Sequence, residues 1–280
     1  MNHSVIDQAL IQWLNDIAKR AGEAILAVYE QSELGIETKS DATPVTRADM
    51  HANAVIEAGL QLLPEQYPIL SEESVHASFD ERRDWSRYWL VDPLDGTQEF
   101  INRNGEFSVN IGLIENSYPL FGMVYIPATN TSYWGGKELG AFRQKDNQLP
   151  VAIHPRTFNP EQDVVVLGSR SYGTDRAKAY LKQLQSFYSN LEFNPVGSAL
   201  KSCFIADGQA DIYPRIGPTS EWDTGAVQAV VEGAGGLFLN PEGERFSYNR
   251  KESLVNSDFL VIGDTSINWR AFWNKDFIPD

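Results

Sequence analysis

Asp92-Pro93-Leu94-Asp95-Gly96-Thr97 brings together the residue types in this 280-residue chain that are best suited to chemistry. The stretch follows the apolar run Tyr88-Trp89-Leu90-Val91, which reads as a buried strand. Asp92 then sits at the strand tip. Pro93 fixes its own φ and biases Asp92 toward an extended backbone. Gly96 permits a conformation, or a close ligand approach, that a Cβ would forbid. Two hard oxygen ligands three residues apart on a stiff turn suit a divalent cation such as Mg2+. The N–H groups of Gly96 and Thr97 face the same spot, where a helix could start, and that suits a phosphate.

Three more carboxylates stand at the ends of expected elements. Asp49 opens a helix after Thr46-Arg47-Ala48, Glu72 closes the short strand Tyr67–Ser71, and Asp223 begins the helix that runs to Glu232. Taken singly, each has a plain reading as a helix cap, a first-turn charge or a solvated loop charge. The elements that must carry them follow from periodicity. Ile6, Leu10, Trp13, Leu14, Ile17, Ala21, Ile25 and Val28 recur at helical spacing and predict one amphipathic helix from Ser4 to Gln31, with Ser4 as cap and Asp7 in the first turn. The polar segment 37–46 reads as a loop or loose hairpin, and a second helix spans Ala48–Leu63, stopped by Pro64. Between Glu106 and Gln144 the pattern alternates in the strand manner around a turn at Asn116-Ser117, which predicts an antiparallel meander. Loop-like text from Pro150 to Pro160 marks a boundary between halves 1–152 and 153–280. In the second half, strands at 164–167, 191–195, 211–213, 237–239 and 259–262 are interleaved with helices at 174–188, 198–207 and 223–232, an α/β pattern.

Composition narrows the class. A formal charge of −15 argues against nucleic acid or an anionic membrane as partner, so attraction to a phosphate must be local. The single cysteine, Cys203, excludes an intrachain disulfide and points to a reducing, cytoplasmic location. The first residues lack a basic, apolar signal pattern, and no apolar run is long enough to span a membrane. The four histidines show no zinc spacing, Cys203 reads as core filler, and Gly233-Ala234-Gly235-Gly236 reads as a helix end.

Pro44-Val45-Thr46-Arg47-Ala48-Asp49, Ser71-Glu72-Glu73, Trp89-Leu90-Val91-Asp92-Pro93-Leu94-Asp95-Gly96-Thr97 and Glu221-Trp222-Asp223-Thr224 occur in that order. With these four motifs the chain resembles the inositol monophosphatase superfamily of lithium-sensitive, Mg2+-dependent phosphatases. Arg103–Ile111, Val196–Lys201, Ala210–Arg215 and Gly217–Asp223 look like its CysQ-type 3′(2′),5′-bisphosphate nucleotidase branch. The resemblance implies a layered αβαβα sandwich of mixed α+β and α/β character. It implies two or three Mg2+ ions, one held by Glu72, Asp92 and the Leu94 carbonyl, another by Asp92, Asp95 and Asp223. Glu72 and Thr97, the latter oriented by Asp49, would position and deprotonate the attacking water. Gly96 and Thr97 N–H groups would hold the transferred phosphate, with Glu72, Leu94, Asp95 and Asp223 also facing substrate. Gly197, Ser198, Lys201 and Arg215 would grip the other end of adenosine 3′,5′-bisphosphate, with Ser198 and Lys201 at i and i+3 of one helix and Arg170 a weaker candidate. The products would be AMP and phosphate, and the role would be recycling a by-product of sulfate assimilation. The branch often carries histidine where this chain has Tyr172, which bears on base preference. The resemblance is also compatible with a monomer or homodimer and with peripheral attachment to the inner membrane. An inositol 1-phosphate phosphatase on the same fold, and a non-catalytic nucleotide or metal sensor, are the rival readings.

Overall fold

Helix α1 (Gln8–Tyr29) is capped by Asp7, whose Oδ1 accepts the Leu10 N–H at 2.8 Å. The computed structural model describes residues 5–39, 44–159, 161–170, 175–188, 190–267 and 269, so the expected cap Ser4 lies outside the described residues. Asp7 is the cap itself, not a first-turn charge, because a carboxylate just before the apolar face satisfies an orphan N–H directly. The polar segment does form a minimal hairpin, β1 (Glu37–Thr38) against β2 (Pro44–Val45). Helix α2 (Arg47–Leu60) ends three residues before the expected stop.

The main sheet has seven strands in chain order: β3 (Ile69–Ser71), β4 (Arg87–Asp95), β5 (Ser108–Glu115), β6 (Tyr118–Ile126), β7 (Thr131–Gly136), β8 (Gly140–Lys145) and β9 (Val151–Ala152). Only β3 and β4 are parallel; the rest form the expected meander. Asn116 and Ser117 both take positive φ, as the tight turn there requires. Short helices α3 (Phe79–Arg82) and α4 (Thr97–Ile101) lie before and after β4, and a 3-10 turn covers Pro127–Thr129.

A second sheet orders its five strands β11 (Leu191–Pro195), β10 (Val164–Gly168), β12 (Ile212–Arg215), β14 (Phe259–Ile262), β13 (Leu237–Leu239). Helices α5 (Asp175–Phe187), α6 (Leu200–Ala206) and α7 (Glu221–Ala234) complete the chain. The cores define the layers. Trp89 and Val91 of β4 pack with α1 and α2, whereas Tyr88 and Leu90 pack on the opposite face with Ala226, Val227 and Val230 of α7. That is the period-two alternation of a strand covered on both sides. The same inner core takes Cys203 of α6 and Val165, Tyr213 and Phe259 of the second sheet, whose far face packs on Tyr180 and Leu184 of α5. The order is therefore helix pair, seven-stranded sheet, helix pair, five-stranded sheet, helix: the expected αβαβα sandwich.

The last strand of the first sheet ends at Ala152 and the first strand of the second begins at Val164, yet α7, which follows both, is core to the first sheet. Gly122 makes this approach possible: a Cβ there would lie 1.9 Å from the Ala226 carbonyl oxygen. No helix among the described residues is long and apolar enough to cross a membrane.

Candidate active site

Because β3 and β4 are parallel, their C-terminal tips lie side by side. Ser71 is in register with Val91, and the Glu72 N–H donates to the Val91 carbonyl at 3.1 Å, which sets Glu72 beside Asp92. Residues three apart on a regular strand face opposite ways. Here β4 bulges: Asp92 is opposite Asn110 and Asp95 opposite Ser108, so Pro93 and Leu94 face a single partner residue. Pro93 has no N–H to give to the ladder, and the extra residue turns Asp92 and Asp95 into the same cleft. Gly96 follows at φ +93°, where a Cβ would sit 3.0 Å from the Glu106 carbonyl and 3.2 Å from Ser198 Cβ. Asp223 arrives from the first turn of α7, with the Ser220 N–H donating to its Oδ2 at 2.9 Å. Ligand oxygens of Glu72, Asp92 and Asp223 thus lie within 4.8 Å of one another.

These carboxylates repel. Burial raises the Asp92 carboxyl well above the ordinary range, and Glu72, Asp95 and Asp223 add to the shift. Asp223 is pushed up to about 8 by burial, then by Asp95 and Glu72. Glu72 and Asp95 are raised as well, burial again leading. Lys39, from the end of β1, places its Nζ 2.6 Å from both Glu72 Oε1 and Glu73 Oε1, a contact without any mark in the sequence. An all-oxygen set of converging, undercompensated carboxylates fits a hard divalent cation.

Asp49 stands behind the cleft at the third position of α2. Its Oδ2 accepts the Thr46 N–H (2.7 Å) and hydroxyl (2.6 Å), and its Oδ1 lies 3.1 Å from the Thr97 hydroxyl. The Leu94 carbonyl, 3.3 Å away, is that hydroxyl's other acceptor. Asp95 Oδ2 accepts from Asn110 Nδ2 at 3.3 Å.

The opposite wall brings Ser198, Lys201 and Arg215 into the same cavity of 340 Å3, a volume within the range of small-molecule sites. Ser198 and Lys201 do not share a helix face. Ser198 precedes α6 in a left-handed conformation (φ +46°), so the turn, and not the helix spacing, aims it. Lys201 is buried, its Nζ donating to the carbonyls of Ser198 (2.7 Å) and Val196 (3.1 Å), and burial lowers it to about 8. Arg215 closes β12 and donates to the Gly217 (3.3 Å) and Pro218 (2.6 Å) carbonyls. Gly197 does not line the cleft; it packs against Glu99 and Glu106. Arg170 turns to Glu106, and Tyr172 lies outside the described residues. Lys39, Glu99 and Glu106 are charged residues whose place at the site only the structure gives.

The model of the inositol monophosphatase family matches residues 7–269. The 3′(2′),5′-bisphosphate nucleotidase CysQ of Salmonella typhimurium is 40% identical over 253 residues, covering 90% of this chain and 99% of that protein. The protein of the same name from Escherichia coli K12 is 41% identical over 246 residues, covering 88% and 96%. The crystal structure of CysQ from Bacteroides thetaiotaomicron, described as a bacterial member of the inositol monophosphatase family, superposes with a TM-score of 0.81 at 34% identity, covering 93% and 99%. This chain belongs to the inositol monophosphatase family.

Proposed function

We propose that the protein is a 3′(2′),5′-bisphosphate nucleotidase that hydrolyses the 3′-phosphate of adenosine 3′,5′-bisphosphate to give AMP and phosphate. The observation that carries this reading is the pairing of two unlike poles in one cleft: an acidic cage of Glu72, Asp92 and Asp223 faces a wall bearing Lys201 and Arg215. A substrate with one phosphate needs only the first pole; a bisphosphate uses both. The names of the CysQ relatives agree with it.

Glu72, Asp92, the Leu94 carbonyl, Asp95 and Asp223 would hold Mg2+. When bound, the ions supply charge for the attacking and leaving oxygens and lower the pKa of water. The chain's own residues do the rest. Asp49 accepts the Thr97 hydroxyl proton, which leaves a Thr97 lone pair to orient the water. Glu72 takes a water proton as the new P–O bond forms and the bond to O3′ breaks, and the released O3′ alkoxide takes a proton from solvent water to become the 3′-hydroxyl of AMP. The Gly96 and Thr97 N–H groups steady the phosphoryl oxygens. Ser198, Lys201 and Arg215 bind the second phosphate; two of the three Lys201 ammonium protons are committed to carbonyls, leaving one for a ligand. On this reading lithium inhibits, and the physiological substrate is the by-product of sulfate assimilation.

Phosphate release is the test. With Mg2+ present, adenosine 3′,5′-bisphosphate is expected to give a kcat/KM at least about tenfold above inositol 1-phosphate, a difference of roughly 1.4 kcal/mol. A preference for inositol 1-phosphate defeats the nucleotide assignment, and turnover undiminished by chelation defeats the metal assignment.

A further inference from the structure

Glu106 joins the two walls of the cleft. It follows α4 in the first half, yet its Oε2 accepts the Gly197 N–H of the second half at 2.7 Å, across 91 residues of sequence. Arg170, two residues after β10, donates from Nε to the same oxygen at 2.8 Å and from a terminal nitrogen to Oε1. The Glu106 main chain is equally engaged. Its carbonyl oxygen would lie 3.0 Å from a Cβ on Gly96 and 2.8 Å from one on Gly197, so both glycine turns close on this one residue. The Arg170 pair holds the Glu106 carboxyl below its ordinary range, which keeps it a charged acceptor.

The turn so fixed carries the candidate grip. Gly197 precedes Ser198, whose positive φ sets it in the cleft wall and whose hydroxyl oxygen is buried without a hydrogen-bond partner among the described residues. The carbonyls flanking Gly197, of Val196 and Ser198, are the two that receive the Lys201 ammonium. One carboxylate therefore sets the peptide that aims both groups. Building on the bisphosphate reading, we propose that Glu106 is a positioning residue for recognition of the second phosphate, acting through the Gly197 N–H on Ser198 and Lys201.

Adenosine 3′-monophosphate, which lacks that phosphate, gives the control. The readout is the ratio of kcat/KM for the 3′,5′-bisphosphate to that for the 3′-monophosphate, with Mg2+ present. Glu106→Ala is expected to lower this ratio about tenfold or more, mostly through KM of the bisphosphate, since a hydrogen bond to a charged group is lost. Glu106→Gln, which keeps an acceptor for Gly197, is expected to recover part of the ratio. Arg170→Ala, which leaves the Gly197 bond in place, is expected to lower it less than Glu106→Ala. A purely architectural role would weaken both substrates alike, and an unchanged ratio in Glu106→Ala overturns the inference while leaving the activity assignment intact. Should circular dichroism show that Glu106→Ala does not fold, an unchanged ratio in both other variants overturns it equally. Wild-type protein that does not cleave the bisphosphate brings down the functional reading and this inference together.

Discussion

Asp92 is almost wholly buried, and four other carboxylates, of Glu72, Asp95, Asp223 and Asp49, act on it. Such a group is held by the surrounding fold against its own electrostatics, which is a mark of functional sites. Asp92→Asn keeps the oxygen that accepts the Leu94 N–H but removes the charge. The metal-free variant is therefore expected to melt a few degrees above wild type, about 1 kcal/mol in a domain of this size. Its Mg2+-dependent rise in Tm should vanish with its activity. Scanning calorimetry in EDTA and in Mg2+ checks both; a variant less stable than wild type in EDTA contradicts the repulsion argument. Asp95→Asn is expected to abolish turnover while folding survives. Thr97→Ala should lower kcat by about 100-fold or more with KM little changed, the scale of losing a water-orienting group, and Thr97→Ser should retain most activity. Asp92, Asp95 and Thr97 are legible in the sequence because their chemistry is contained in six adjacent residues. Lys39 is not, since it meets Glu72 33 residues away. Glu106 stands in a stretch that resembles the family, yet nothing local assigns it a partner.

Among the elements, α7 is the one that ties site to fold. It carries Asp223 at its N-terminus and rests on the seven-stranded sheet where Gly122 leaves room. A methyl at Gly122 must push the helix backbone away, so Gly122→Ala is expected to cost about 3 kcal/mol or more of stability. It should also weaken Mg2+ affinity, because Asp223 moves with the helix. Urea unfolding and a metal titration monitored by Tm report the two effects; a stability change near zero would mean that α7 does not sit where the structure puts it. The type and order of the elements is largely legible from hydrophobic period, and the meander around Asn116-Ser117 is an instance. The start of α6 is not. Ser198 through Asp207 has helical composition, but Glu106 of the other half accepts the Gly197 N–H and Ser198 is left-handed, so the helix begins only at Leu200.

At the scale of the whole molecule the two halves share one core, since α7 and α6 are packed between both sheets. Residues 1–152 expressed alone are expected not to fold, because the α7 face of the seven-stranded sheet would lie open. A cooperative unfolding transition in that fragment would contradict this expectation. Charge also acts collectively. Asp223 rises from its ordinary 3.8 to about 8 in the folded chain, so the folded state holds a proton that the unfolded state has released between those values. Where the native state binds more protons, stability falls as pH rises. The Tm of EDTA-treated protein is therefore expected to drop from about pH 4 to about pH 8 relative to Asp223→Asn, with Mg2+ stabilising most at the alkaline end. A wild-type Tm that climbs relative to that variant across the window would reverse the sign and refute the account. What the sequence determines by itself is local chemistry and composition: the hard-oxygen turn at residues 92–97 and the apolar periods are properties of neighbouring residues, and the single thiol and the net negative charge are counts over the chain. The tertiary structure decides which distant carboxylates share a cleft, that a bulge at Pro93 turns two of them the same way, and that Glu106 reaches across to Gly197. These depend on strand register and helix packing, which bring together residues far apart along the chain and leave no trace in any short window of it.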